Sequence, residues 1–100
     1  MFIHNVYFWL AIGLDNEAIV AFEEGLESLC QSPPVKSGYY GTPADTHRDV
    51  VVNNYSYGMV LIFDDKAGQD AYQVGEVHQC FVAQHMSKWE RVVVYDIQTQ

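Results

Sequence analysis

Positive charge is scarce in this chain of 100 residues: five Lys and Arg stand against 13 Asp and Glu, a formal net charge of −8. Phosphate polyanions are held by Lys/Arg surfaces that release counterions, so this balance excludes nucleic acid as a partner. Cysteine is rarer still. Cys30 and Cys80 give no metal-ligand spacing and no framework of paired bridges, and they read as two reduced thiols of a cytoplasmic protein. No apolar run approaches the roughly 18 residues of a membrane-spanning helix. The apolar start, Met1 to Leu10, carries His4 and Asn5 and lacks both a basic n-region and a small-residue cleavage site, so it reads as a strand. A soluble protein with no membrane partner is expected. GxGxxG, Walker, GxSxG, HExxH and CxxC motifs are also missing, which leaves nucleotide cofactors, serine hydrolysis and zinc without warrant; the expectation is no cofactor and no metal.

Apolar residues, by contrast, are plentiful, at 49% with 14% aromatic, and fit one folded domain spanning 1–100. A chain this short buries only about 60 to 70% of the surface its unfolded form exposes, so surplus apolar surface is better hidden in an oligomer.

The run Phe2 to Leu10 predicts a strand, and Asp15 is placed to cap a helix. From Ala18 to Cys30 the residues Ile19, Phe22, Leu26, Leu29 and Cys30 recur at intervals of three and four, an amphipathic stripe. Ser32, Pro33 and Pro34 stop it, Val35 to Tyr40 predicts a short edge strand, and Ala44 to Asp49, with His47 and Arg48, a solvated loop. Val50 to Phe63 reads as one long strand with an irregularity at Asn53 and Asn54. Asp64 and Asp65 can cap a short helix to Val74. Gly75 breaks it, Val77 to Lys88 forms a second helical piece with Phe81, Val82, His85 and Met86 inward, and Trp89 to Ile97 closes as a strand. The order βαββαβ predicts an α+β, ferredoxin-like fold with a four-stranded antiparallel sheet and both helical segments on one face.

An antiparallel sheet with one wet face alternates apolar and polar residues, yet the first strand sets Phe2, Val6, Phe8 and Leu10 against Ile3, Tyr7, Trp9 and Ala11. The later strands repeat this, so the face away from the helices needs a cover, and a second copy packed sheet to sheet is the economical one.

Histidine and tyrosine carry what chemistry is on offer. Tyr72 and His78 are six positions apart, about 600° of helix, which would point them roughly 120° apart; only a break at Gly75 brings them together. A phenol beside an imidazole in an aromatic cavity can remove a proton next to a carbonyl and hold the enolate, with His78 as base near a helix N-terminus and Tyr72 as donor. Packing for Tyr72 and surface exposure for His78 account for the same spacing equally well. His4 shares a strand face with Phe2, Val6 and Phe8, either as a core histidine or as a polar group reaching into an apolar pocket. His78 and His85 are two turns apart, about 10 Å, too far for one metal ion.

The strand His4-Asn5-Val6-Tyr7-Phe8, the helix face Phe22, Gly25, Leu26 and Leu29, the strand Tyr57 to Phe63 ending in Asp64, then Tyr72, His78 with Phe81, and Trp89 with Val92, Val94, Tyr95 and Asp96 together resemble the stress-responsive dimeric α/β-barrel (Dabb) family. The resemblance implies a ferredoxin-like protomer that pairs with its twin, sheet to sheet, as a dimeric α/β barrel. One plant member is a polyketide cyclase that works without a cofactor through a tyrosine and a histidine. Tyr72 and His78 match those positions and His4 matches a pocket histidine. Tyr57 stands where that cyclase has a further histidine, and Gly75-Glu76 replaces its His-Pro, placing a carboxylate able to raise the His78 pKa.

Three functions remain open at this point. One is a cofactor-independent lyase, cyclase or isomerase for a small apolar carbonyl compound, with His78 and Tyr72 catalytic and His4, Tyr57, Phe22 and Phe81 lining the substrate pocket. A second is a non-catalytic dimeric stress or small-molecule-binding protein whose pocket is small or filled. The third, by fold analogy alone, is a cofactor-free monooxygenase of aromatic substrates.

Overall fold

In the computed structural model, which describes residues 1–100, aspartate side chains cap the starts of two of the three helices. The Asp15 carboxylate accepts the Ala18 N–H at 2.8 Å, so helix α1 (Asn16–Cys30) begins ahead of its apolar stripe. That stripe buries Phe22, Leu26 and Leu29 against the sheet, each contributing about 1.5–3 kcal/mol. Asp65 caps α2 (Lys66–Val74) in the same way, accepting from Gly68 N–H at 3.0 Å. A third helix, α3 (Glu76–His85), follows at once and tightens into a 3₁₀ turn at Met86–Lys88.

The strands are β1 (Phe2–Leu10), β2 (Ser37–Gly41), β3 (Tyr57–Phe63) and β4 (Trp89–Gln98), all antiparallel in the order β2-β3-β1-β4. A four-stranded antiparallel sheet with three helices packed on it is the ferredoxin-like fold. Phe2, Val6 and Phe8 of β1 and Tyr57, Met59, Leu61 and Phe63 of β3 face the helices and form the core with Phe22, Leu26, Leu29, Tyr72 and Phe81. The helices do not roof β4. Its inward residues Val92 and Val94, paired with Phe8 and Val6, stay 36% and 45% exposed. No helix is long and apolar enough to cross a membrane.

Two expectations need correction. The run from Val50 to Phe63 is not one strand: the ladder starts at Tyr57, and residues 50–56 leave it to lie across the outer face of the sheet. There Asn54 Oδ1 accepts the Trp9 indole N–H at 3.1 Å and Tyr55 packs on Tyr7, ring centroids 5.0 Å apart. Part of the outer face is therefore covered from within the chain. Met86 does not continue the inner stripe but sits in the 3₁₀ turn at 59% exposure, because the tighter winding rotates it away from the core.

Candidate functional site

The break between α2 and α3 builds the site. Gly75 still gives its N–H to Tyr72 O at 3.1 Å, then turns extended (φ −73°, ψ 158°) and accepts from Gln79 N–H to start α3. The change of axis sets the Tyr72 and His78 rings edge to face, centroids 5.1 Å apart, where a continuous helix would splay them. That φ is open to any residue. What favours glycine is space, since a Cβ would lie 3.1 Å from Ala71 O and 3.3 Å from Tyr72 O.

Tyr72 is buried and packs against His4 (6.0 Å between centroids) and Phe63 (5.4 Å). Burial, with a smaller push from Cys30, raises its phenol well above the usual range, so it is a proton-bearing donor. His78 is half-buried and shifted the other way: desolvation first and the charge of His4 second hold its pKa below the ordinary imidazole value, against an opposing hydrogen bond to the Gln73 backbone. The upward pull expected from Glu76 is absent, as residues two apart on a helix do not face each other. His4, on the floor of β1, places Nδ1 2.6 Å from Asp96 Oδ1, its direct cross-strand neighbour on β4.

These groups share one cleft of about 280 Å³, near the lower end of the usual range for ligand pockets, between the inner face of β1, β3 and β4 and the two short helices. Its walls are apolar, among them Val6, Phe8, Phe81, Val82 and Val92, with Tyr72, Gln73, His78 and His4 as the polar exceptions.

Of the six expected site residues the cleft gathers Tyr72, His78, His4 and Phe81, and leaves out Phe22 and Tyr57. Phe22 is fully buried, wedged among Phe8, Tyr57, Phe81 and Trp89, because the α1 stripe points it into the core. Tyr57 turns its hydroxyl to Glu23 of α1 at 2.5 Å, and burial together with that bond pushes its pKa up to about 12. His47 lies in an exposed loop beside Asp45. Asp96 and Gln73 were missed as site residues. Strand register could have revealed Asp96; Gln73 carries no signal in sequence beyond its place one residue after Tyr72.

Known structures share this architecture at low identity. A protein of Arabidopsis thaliana superposes with a TM-score of 0.82 at 19% identity, covering 100% of this chain and 96% of its own. A dimeric ferredoxin-like protein of unknown function from Thermobifida fusca gives 0.79 at 18%, covering 98% and 90%. A hydroxynitrile lyase from Passiflora edulis gives 0.78 at 17%, covering 96% and 90%. No curated protein sequence matches the chain. The family model of the stress responsive A/B barrel domain (Dabb) matches residues 2–99, and the chain belongs to that family.

Proposed function

We propose that this protein is a cofactor-independent lyase, cyclase or isomerase that moves a proton next to the carbonyl of a small apolar compound, and that it works as a homodimer joined through the outer sheet face. The observation that carries the reading is the pairing of a buried phenol that holds its proton with a half-buried imidazole kept neutral, both opening into one apolar cleft. Apolar walls exclude water and strengthen any hydrogen bond made to a developing enolate oxygen. A hydroxynitrile lyase shares the fold, so this scaffold hosts lyase chemistry elsewhere; at 17% identity the likeness carries the fold alone. Dimeric ferredoxin-like neighbours support the second copy.

The test is exchange of α-protons for deuterium in a panel of aryl and alkyl methyl ketones, followed by NMR. Wild-type protein should outpace buffer on at least one ketone, and Tyr72→Phe, which removes one donor, should slow that exchange about 10²–10³-fold. The modest cleft volume favours a second reading, a binding protein without chemistry. Thermal stabilisation by a ketone that never exchanges would select it.

A further inference from the structure

We propose that the proton acceptor in this cleft is His4, backed by Asp96, and that His78 is a neutral hydrogen-bond donor whose tautomer is set by two positioning residues, Gln73 and Gln69. The assignment rests on the cleft being a site of proton transfer, and it reverses the role that spacing alone suggests for His78.

His4 has the arrangement of a base. Its Nδ1 lies 2.6 Å from Asp96 Oδ1, and an ionised carboxylate only accepts, so Nδ1 carries the hydrogen and Nε2 keeps a bare lone pair. His4 lines the cleft with a side chain only 9% exposed, whereas Asp96 is 43% exposed and keeps much of its hydration. A proton arriving on Nε2 makes an imidazolium already beside its counter-charge.

His78 is arranged the other way. Its Nε2 lies 3.3 Å from the Gln73 side-chain amide nitrogen, and Gln73 Oε1 in turn accepts from Gln69 Nε2 at 3.0 Å. The direction of this relay follows from its inner end. Gln69 Oε1 is buried with no partner, and reversing both amides would put an NH2 with unmade donors in that place, which is the costlier orphan. Gln73 therefore donates to Nε2, the ring hydrogen stays on Nδ1, and His78 at rest has no free lone pair. Burial and the charge of His4 both oppose an imidazolium at His78 and outweigh the Gln73 backbone hydrogen bond that favours one, and the ring has no carboxylate partner.

The step then balances. A C–H bond next to the substrate carbonyl breaks, its proton goes to His4 Nε2, and its electron pair becomes the enolate double bond. Negative charge gathers on the carbonyl oxygen, where Tyr72 O–H and His78 Nδ1–H donate to it. The proton held on His4 returns to the product or to its leaving group, restoring the neutral ring.

Nitrogen-15 NMR of the whole protein, at a pH where both rings are neutral, reads the tautomers without needing a substrate. His4 and His78 should both show protonated Nδ1, and Gln73→Leu, at an exposed position, should release His78 to a mixture while leaving His4 unchanged. Protonated Nε2 with bare Nδ1 at wild-type His78 would overturn the assignment whether or not the protein is an enzyme. Deuterium exchange into acetophenone separates the roles, because glutamine can donate but cannot act as a base. His4→Gln should lose at least about a hundredfold and His78→Gln only about tenfold. The opposite ranking overturns the proposal and leaves the enzyme reading intact, whereas a wild-type protein that exchanges no ketone defeats the enzyme reading and leaves the tautomers to be judged by NMR.

Discussion

His85 shows how one side chain couples packing to pH. It is 1% exposed, packed against Phe22 and Phe81, and its Nδ1 lies 2.9 Å from the Lys88 ammonium, which donates to it. The ring also explains Gly25 within α1, where glycine costs about 1 kcal/mol of helix propensity: a Cβ there would lie 2.7 Å from His85 Nε2. Desolvation, with the charge of Lys88 second, lowers the His85 pKa, and His78 is lowered too. Both rings stay neutral in the fold while the unfolded chain takes up protons near pH 6.5, so below that value the unfolded state binds more protons. Stability contributed by these neutral rings is full above about pH 6.5 and is lost as pH falls towards their folded pKa values. His85→Met, which keeps most of the volume, should flatten the acid limb of urea-denaturation stability by up to one proton, at most about 1.4 kcal/mol per pH unit. A limb as steep as that of wild type would show that His85 does not carry it.

Elements whose local chemistry and burial agree were legible in sequence. α1 has its cap at Asp15 and its stripe at Phe22, Leu26 and Leu29, and the α2–α3 break falls at Gly75 as expected. The start of β3 was not legible, because Val50, Val52 and Tyr55 have the composition of a strand whether they join the ladder or lie across its face. The site was legible in part for the same kind of reason. Period and break place Tyr72 and His78, but the His4–Asp96 pair depends on the β1–β4 register and spans 92 positions. Phe22 and Tyr57 have the right residue types, yet helix orientation and the arrival of Glu23 commit them to the core. The break itself is open to test. In Gly75→Ala the backbone angles are acceptable, but the new Cβ presses on two backbone carbonyls at 3.1 and 3.3 Å that cannot swing aside as a side chain would. Overpacking should outweigh the entropy gained in the unfolded chain, for a net loss of about 1 kcal/mol in urea denaturation. The His78 ring protons should shift as Tyr72 moves relative to them. An alanine variant as stable as wild type, with unmoved His78 signals, would show that the break tolerates a side chain.

At the scale of the whole molecule the decisive dimension is thickness: the Cα envelope measures 37 × 34 × 17 Å, a slab of one sheet and one helical layer. The helices protect one side of the sheet. On the other, Tyr39, Tyr95 and Ile97 are 67%, 64% and 51% exposed, and the 50–56 segment covers only the end near Trp9 while leaving its own Val50 and Val52 at 78% and 69%. A second sheet stacked about 10 Å away would bury this face, and a twofold axis lets one surface serve both copies. Net charge does not favour that association, since each chain brings −8, so apolar contact must supply it. Val60 tests the idea: it faces outward in the middle of the sheet, with Asn5 of β1 on one side and Tyr39 of β2 on the other. Val60→Glu would place one unpaired carboxylate per copy in the shared interface and add to the repulsion between two acidic chains. Desolvating an unpaired charge costs several kcal/mol, so the dimer dissociation constant measured by sedimentation equilibrium should rise at least about a hundredfold. Because Val60 faces away from the cleft, folding of the variant can be checked through an unchanged His4–Asp96 NMR signature. A wild-type chain that sediments as a monomer at micromolar concentration, or a Val60→Glu variant as dimeric as wild type, would show that the outer face is not the contact between copies.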